Sequence, residues 1–366
     1  MKGIIRVLHI VTYMGRGGLE TMLMNYYRHI DRTKIQFDFL VHRDFEADYD
    51  QEIIELGGKI HHISKLIPWS RKYKQELKYF FQHHPEYRIV HVHQDCLSSV
   101  ALKCAEECAI PIRIAHCHSK TLKVSLKSII KSHYMKQIPR FATDCFACSK
   151  VAGDWMFSGH AYHLLPNAIE TDLYAYSQEK REQIRAILHL ENSFVIGHVG
   201  RFDSLKNQSF LVDVFTEFIK LNNNARLILV GNGKNRVRIE NKVKKLGLER
   251  KVIFTGVRSD INDLLQAMDV FVFPSLYEGL GIAAIEAQAA GLPCILSNRV
   301  PKECKLTQDV EFLSLTEAPI IWAKRIFDYQ NFLRKNTCSD IYKAGYDVCE
   351  NAMKLQKYYC DEVDYV

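Results

Sequence analysis

Residues 270–296 read VFVFPSLYEGLGIAAIEAQAAGLPCIL: an apolar run, a glycine-containing loop, an alanine-rich helical stretch and a second apolar run. Val270–Phe273 and Cys294–Leu296 are candidate buried strands, and the stretch from Ala283 to Ala290 connects them as a helix. Strand, helix and strand in that order form a βαβ unit, and βαβ units build parallel sheets. Moving outward, the same alternation recurs. Val195–Val199, Arg226–Val230 and Val252–Phe254 precede the quoted stretch and Glu311–Leu313 follows it, with helical apolar spacing over Phe210–Leu221 and Ile261–Met268. An earlier series comprises Arg6–Val11, Phe37–Val41, Lys59–Ile63, Arg88–Val92, Ile112–Ala115 and Thr143–Ala147. Turn residues and a charged helical segment, Gln178–Leu188, separate the two series near Pro166–Glu191. The expected fold is α/β: two doubly wound, Rossmann-like domains facing a central cleft, 1–168 and 169–344. Ligands in such sheets bind outside the carboxyl ends of the strands. From Trp322 to Tyr359 the pattern reads as helical, and the end of the chain, about 345–366, is expected to pack back on the first domain.

Composition narrows the function classes. The 366 residues are 47% hydrophobic and 25% charged, a globular balance that excludes a disordered or collagenous chain. No stretch approaches the roughly 18 consecutive apolar residues needed to cross a bilayer. The opening MKGIIRVLHIVTY is interrupted by Arg6 and His9, so it reads as a first strand rather than a leader. Eleven cysteines, an odd number scattered from Cys96 to Cys360, fit a reduced, cytoplasmic protein. Cys145 and Cys148 form a CxxC, but no second CxxC or histidine pair stands at zinc spacing, so both are assigned to the core.

The net charge of +7 lies wholly in residues 1–168, which carry 23 Lys and Arg against 16 Asp and Glu, whereas the remainder is balanced. An acidic partner for the first half is implied. Lys120, Lys123, Lys127 and Lys131 share one helical face beside Leu122, Leu126, Ile129 and Ile130, and no acidic residue occurs between Glu107 and Asp144. Such a face suits an anionic membrane surface and predicts peripheral attachment at the inner face of the plasma membrane. No nucleic acid is expected, because the charge has no interleaved aromatic platform.

Three loops carry the chemistry. Gly15-Arg16-Gly17-Gly18-Leu19-Glu20 follows the first strand and opens a helix, where Gly17 and Gly18 let backbone amides approach an anion. The dinucleotide fingerprint G-x-G-x-x-G is not matched. Gly200-Arg201-Phe202-Asp203-Ser204-Leu205-Lys206-Asn207 follows the strand Val195–Val199, and its two cations, with Lys206 placed at the start of the next helix, suit a pyrophosphate. In the quoted stretch, Glu278 lies in the loop and Glu286 within an apolar helix, where a carboxylate needs a partner. Sugar or ribose hydroxyls would serve, and the amides of Gly279, Leu280 and Gly281 can receive phosphate. His91 and His93 end one strand and His116 and His118 end the next. They suggest a metal cluster, but carboxylates for a hard-metal site are few, and no metal is expected.

In this order, GGLE, GRFDSLKN, LVGNGKNR, VIFTGVRSDI and FPSLYEGLGIAAIEAQAAGLP, with its E-x7-E spacing, resemble retaining glycosyltransferases of the GT-B fold, family 4. The resemblance runs from Arg6 to about Phe327, and the early part looks most like bacterial capsule and exopolysaccharide enzymes. It implies that Arg201 and Lys206 bind the diphosphate of a nucleotide-sugar donor, Glu278 contacts the donor sugar beside Gly279, Leu280 and Gly281, and Glu286 hydrogen-bonds the ribose. The base would lie against Val257, Gly17 and Gly18 would face the phosphates, and an active-site histidine aligns best with His118, although His116 points the same way on a strand. Where relatives often have Pro-Asn-Gly-Val-Asp, this chain has Pro166-Asn167-Ala168-Ile169-Glu170. The implied reaction moves a sugar from a UDP-sugar to a hydroxyl of a lipid-linked saccharide, without a cofactor or metal. A UDP-sugar epimerase of the same fold is the rival within enzymes, yet no convincing acidic set for proton transfer at the sugar C2 is present. A non-catalytic partner subunit is the other rival, and the intact Arg201, Lys206, Glu278 and Glu286 count against it.

Overall fold

Thirteen short strands, all in parallel pairs, form two separate sheets in the computed structural model, which describes residues 3–118 and 126–365. The first comprises β1 (Ile5–Val11), β2 (Ile35–Val41), β3 (Ile60–His62), β4 (Ile89–Val92), β5 (Ile112–Cys117), β6 (Asp144–Ala147) and β7 (His163–Leu164). The second comprises β8 (Phe194–Val199), β9 (Ala225–Val230), β10 (Val252–Gly256), β11 (Val270–Phe273), β12 (Cys294–Ser297) and β13 (Val310–Leu313). Their orders are β3-β2-β1-β4-β5-β6-β7 and β10-β9-β8-β11-β12-β13, so each is doubly wound, as expected from the alternation of strands and helices. All twelve expected strands form, with small shifts at their ends. The two-residue β7 is an addition.

The chain divides into two compact units, Met1–Ile169 with Gly345–Val366, and Glu170–Ala344. In the first unit, β1, β2 and β4 are buried along almost their whole length, and apolar residues pack on both faces of the sheet. The last helix, Val348–Tyr365, belongs to this unit, where Val348, Ala352, Leu355 and Tyr359 join the core around Tyr26 and Phe37. A bridge ties the re-entering chain down: Ile169 N donates to Tyr346 O at 2.9 Å and Val348 N to Ile169 O at 2.9 Å. The expected helical tail is in fact three helices, Pro319–Phe327, Cys338–Lys343 and Val348–Tyr365, interrupted once within the second unit and again where the chain passes from the second unit to the first. In the second unit, Trp322 and Ile326 pack with Phe215 and Phe218 on one side of the sheet. None of the eleven cysteines forms a disulfide bond among the described residues, and both Cys145 and Cys148 are buried.

Candidate active site

In the second sheet the strand order reverses between β8 and β11, and in doubly wound sheets ligands bind at such a point, outside the carboxyl ends of the strands. Both charged motifs leave from these two strands. This topology brings Lys206 against Glu278, 72 positions away: Nζ donates to Oε1 at 2.7 Å and to Oε2 at 2.8 Å. The ammonium also lies 4.7 Å from the centroid of the Phe273 ring. The Glu278 side chain is 9% exposed and that of Lys206 22%, so the pair is shielded except on the lysine side.

Arg201 behaves differently. Its side chain is 72% exposed and is held at 2.9 Å by Asp203, which is itself largely buried. Asp203 Oδ1 also accepts from Leu205 N at 2.9 Å and Lys206 N at 3.1 Å, which fixes the turn that presents Lys206. Burial pushes the Asp203 carboxyl upward, but the Arg201 guanidinium and these two amides outweigh it and hold the group below its ordinary range. Lys206 does not open the next helix as the sequence suggested. Asn207 adopts a left-handed backbone at φ 56° and the helix begins at Gln208, which leaves Lys206 in the loop.

After Glu278, the loop Gly279–Leu280–Gly281 enters the helix Ile282–Ala289 through Gly281 at φ 91°, a conformation that only glycine adopts without strain. Amides in the first turn of a helix have no acceptor within it, so this end suits an anion. Glu286 is buried inside that helix and accepts a hydrogen bond at 3.0 Å from the Tyr174 hydroxyl. Burial pushes its carboxyl up to about 7, against the opposing pull of Tyr174. The partner its position demanded is thus a hydroxyl group. Val257 follows Gly256 at the end of β10 and is half exposed.

In the first unit, Gly17 caps the helix Gly18–His29, and the Glu20 carboxylate packs against Gly17, so the helix end already has an acidic group beside it. His118 follows β5. Its Nε2 lies 2.8 Å from His93 Nδ1, and His93 Nε2 lies 2.9 Å from His9 Nδ1. His116 Nδ1 lies 3.2 Å from His91 Nε2, and His91 Nδ1 lies 2.7 Å from the Tyr359 hydroxyl. Burial lowers all five imidazoles, His9 and His118 to about 3 and the other three well below their ordinary range. The triads His9–His91–His93 and His93–His116–His118 each have ligand atoms within 4.8 Å of one another. Among these histidines the closest ring nitrogens face one another in pairs at 2.8–3.2 Å, the separation of a hydrogen bond.

Sequence reasoning missed His9, Asp95, Asp203 and Tyr174. Asp95 is half-buried at φ 45° with Oδ1 3.5 Å from His118 N, and desolvation pushes its carboxyl up to about 6. Asp203, three residues before Lys206, matches the spacing of a side chain that caps following amides, so it was readable. Tyr174 and His9 gave no local signal. Of the lysine face, Lys120 and Lys123 lie outside the described residues, and Lys127 and Lys131 belong to the helix Leu126–Met135. Ile129 and Ile130 are exposed on that helix at 66% and 42%.

Comparison with known proteins adds the following. The description "Glycosyltransferase Family 4" matches residues 16–173, and "Glycosyl transferases group 1" matches residues 179–319. The putative glycosyltransferase EpsF of Bacillus subtilis is 31% identical over 97% of this chain and 96% of its own length. A UDP-Gal:alpha-D-GlcNAc-diphosphoundecaprenol alpha-1,3-galactosyltransferase of Escherichia coli is 27% identical over 76% of each chain. Among solved structures, Anabaena HepE in complex with UDP-glucose superposes with a TM-score of 0.73 at 20% identity, covering 98% of this chain and 96% of that one, a likeness of fold.

Proposed function

Because the chain belongs to glycosyltransferase family 4, with a group 1 glycosyl transferase domain as its second half, we propose that it transfers a sugar from a UDP-sugar to a hydroxyl of a lipid-linked saccharide, with retention of anomeric configuration, in the assembly of a capsular polysaccharide or exopolysaccharide. The observation that carries this reading is the Lys206–Glu278 pair, 2.7 Å apart where the strand order of the second sheet reverses. A cation there is poised for a diphosphate, and its carboxylate partner for the hydroxyls of the sugar attached to it. A relative supports the donor and acceptor classes: the Escherichia coli enzyme is named for UDP-Gal and a diphosphoundecaprenol-linked GlcNAc.

In this mechanism, departure of the diphosphate is assisted by positive charge, and no general acid is required. Lys206 moves from Glu278 toward the phosphate, and exposed Arg201 swings in from Asp203. The amides of Gly279, Leu280 and Gly281 take up remaining negative charge. Glu278 then contacts the sugar. Glu286 accepts from the ribose hydroxyls, the backbone of Val257 meets the base, and His118 contacts the sugar. The acceptor hydroxyl attacks from the face the diphosphate vacates, which retains configuration. Two cations and helix-end amides supply the neutralisation that a metal would otherwise provide, so transfer should survive exhaustive chelation with EDTA. The lysine face of the first unit, Lys120, Lys123, Lys127 and Lys131, attaches the enzyme to anionic lipid.

The test is to supply UDP-sugars with a lipid-linked saccharide and determine the product's anomeric configuration by NMR. A product with the donor's configuration supports the reading. An inverted product, an isomerised sugar formed without acceptor, or loss of activity on chelation with rescue by Mg²⁺ contradicts it.

A further inference from the structure

Glu286 is the one charged residue of the helix Ile282–Ala289, whose other members are alanine, isoleucine and glutamine. Its carboxylate is held by a single donor. Among the described residues, Oε1 accepts from the Tyr174 hydroxyl at 3.0 Å, and Oε2 accepts no hydrogen bond. Tyr174 lies 112 positions earlier and ends the short helix Thr171–Tyr174, which packs against both Ile261–Ala267 and Ile282–Ala289. Its backbone is pinned by Gln266, a buried side chain of Ile261–Ala267. Gln266 Nε2 donates to Tyr174 O at 3.1 Å, and Gln266 Oε1 accepts from Ser177 N at 3.1 Å. Tyr174, Gln266 and Glu286 all belong to the compact unit Glu170–Ala344.

An unheld carboxylate turns about its last side-chain bond and offers either oxygen. Once a hydroxyl holds Oε1, the plane of the group is set and Oε2 is offered in one orientation. The same bond favours the ionised form of the group, the form that only accepts, against the burial that opposes it. Neighbouring hydroxyls such as those of a ribose donate to an oxygen of this kind. An acceptor ordered beforehand also loses less freedom when they bind.

We infer that Tyr174 is a positioning residue for the ribose: its hydroxyl fixes Glu286 through Oε1, so that Oε2 takes the hydroxyls of the nucleotide. The inference rests on the proposed contact between Glu286 and the ribose. It adds that the strength of this contact is set by a residue that acts through Glu286.

Calorimetric titration of the whole protein with UDP, and with its dideoxy analogue that lacks both ribose hydroxyls, separates this role from packing. The wild type should bind UDP the more tightly. Tyr174→Phe keeps the ring and deletes only the hydroxyl. UDP should then bind about fivefold or more weakly, the scale of one lost hydrogen bond, while the analogue stays within about twofold of its wild-type affinity. An unchanged analogue also shows that the variant keeps its fold, and melting midpoints check this independently. Tyr174→Phe with an undiminished preference for UDP, or with both nucleotides weakened alike, overturns the inference. A wild type that binds UDP and the analogue equally, with Glu286→Gln leaving UDP binding unchanged, overturns instead the ribose reading on which it rests.

Discussion

Lys206 is paired with Glu278, and both donor functions proposed for this loop depend on the pair. Replacing it with methionine keeps the packing of the stem on Phe273 but removes the cation. Turnover should then drop by about 10²-fold or more, the scale seen when one charge-stabilising donor is lost from an active site. Steady-state transfer rates beside melting curves test this, and near-normal turnover in both Lys206→Met and Arg201→Ala would contradict the assignment. Glu286 gives a second prediction, with a definite sign. Its carboxyl stands at about 7 in the fold against 4.5 ordinarily, so the folded protein holds the proton more tightly than the unfolded chain. The stability this contributes is full below 4.5 and is lost as pH rises through 7. Glu286→Gln should therefore flatten the dependence of the second unit's urea midpoint on pH across that window. A profile identical to the wild type would mean that Glu286 is not buried as a neutral acid.

Among the elements, the strands were the most legible part of the chain, because each buried run of β-branched and aromatic residues is bounded by turn residues. β7 escaped because His163 and Leu164 are two exposed residues with no apolar alternation to mark them. The tail lost its breaks because the apolar spacing of Pro319–Phe327 runs on into the later helices, and nothing local reveals that the chain changes units there. At the site, Lys206 and Glu278 were each visible in their own loops. Their mutual contact depends on β8 lying beside β11, a pairing that no local pattern encodes. His9 was passed over for the same reason. The helix Leu126–Met135 combines exposed Ile129 and Ile130 with Lys131, the mix of apolar and cationic surface that an anionic bilayer attracts at about 1 kcal/mol per lysine. Vesicle binding should require anionic lipid, weaken with salt and disappear on reversal of Lys123, Lys127 and Lys131 to Glu, while transfer to a short soluble acceptor persists. Equal binding by the triple variant would reduce this helix to a solvated face.

Across the whole molecule, the first unit should respond to acid more strongly than the second. The first holds five imidazoles neutral, with His9 and His118 at about 3 against 6.5 ordinarily. Their stability is full above 6.5 and is lost as pH falls, because the unfolded chain takes up protons that the fold excludes. At pH 5 each such histidine costs about 2 kcal/mol. Asp95, raised to about 6, offsets only one of them. In the second unit, His198, lowered to about 4, and Glu286, raised to about 7, work against each other. Hydrogen exchange at pH 7 and pH 5 should show protection falling in β1, β4 and β5 well before β8 and β11. Simultaneous loss in both sheets would contradict the burial of the histidine cluster.

The claim that the β8 and β11 loops of the second unit hold the nucleoside diphosphate is tested most directly by calorimetric titration of UDP and of uridine. UDP should bind the wild type, and Lys206→Met and Glu286→Gln should each weaken it by about tenfold or more, through loss of a charge-assisted contact to the phosphate in the first and of hydrogen bonds to the ribose in the second. Uridine, which has no phosphate, should remain sensitive to Glu286→Gln and become indifferent to Lys206→Met. UDP bound equally well by the wild type and both variants would place the nucleotide elsewhere.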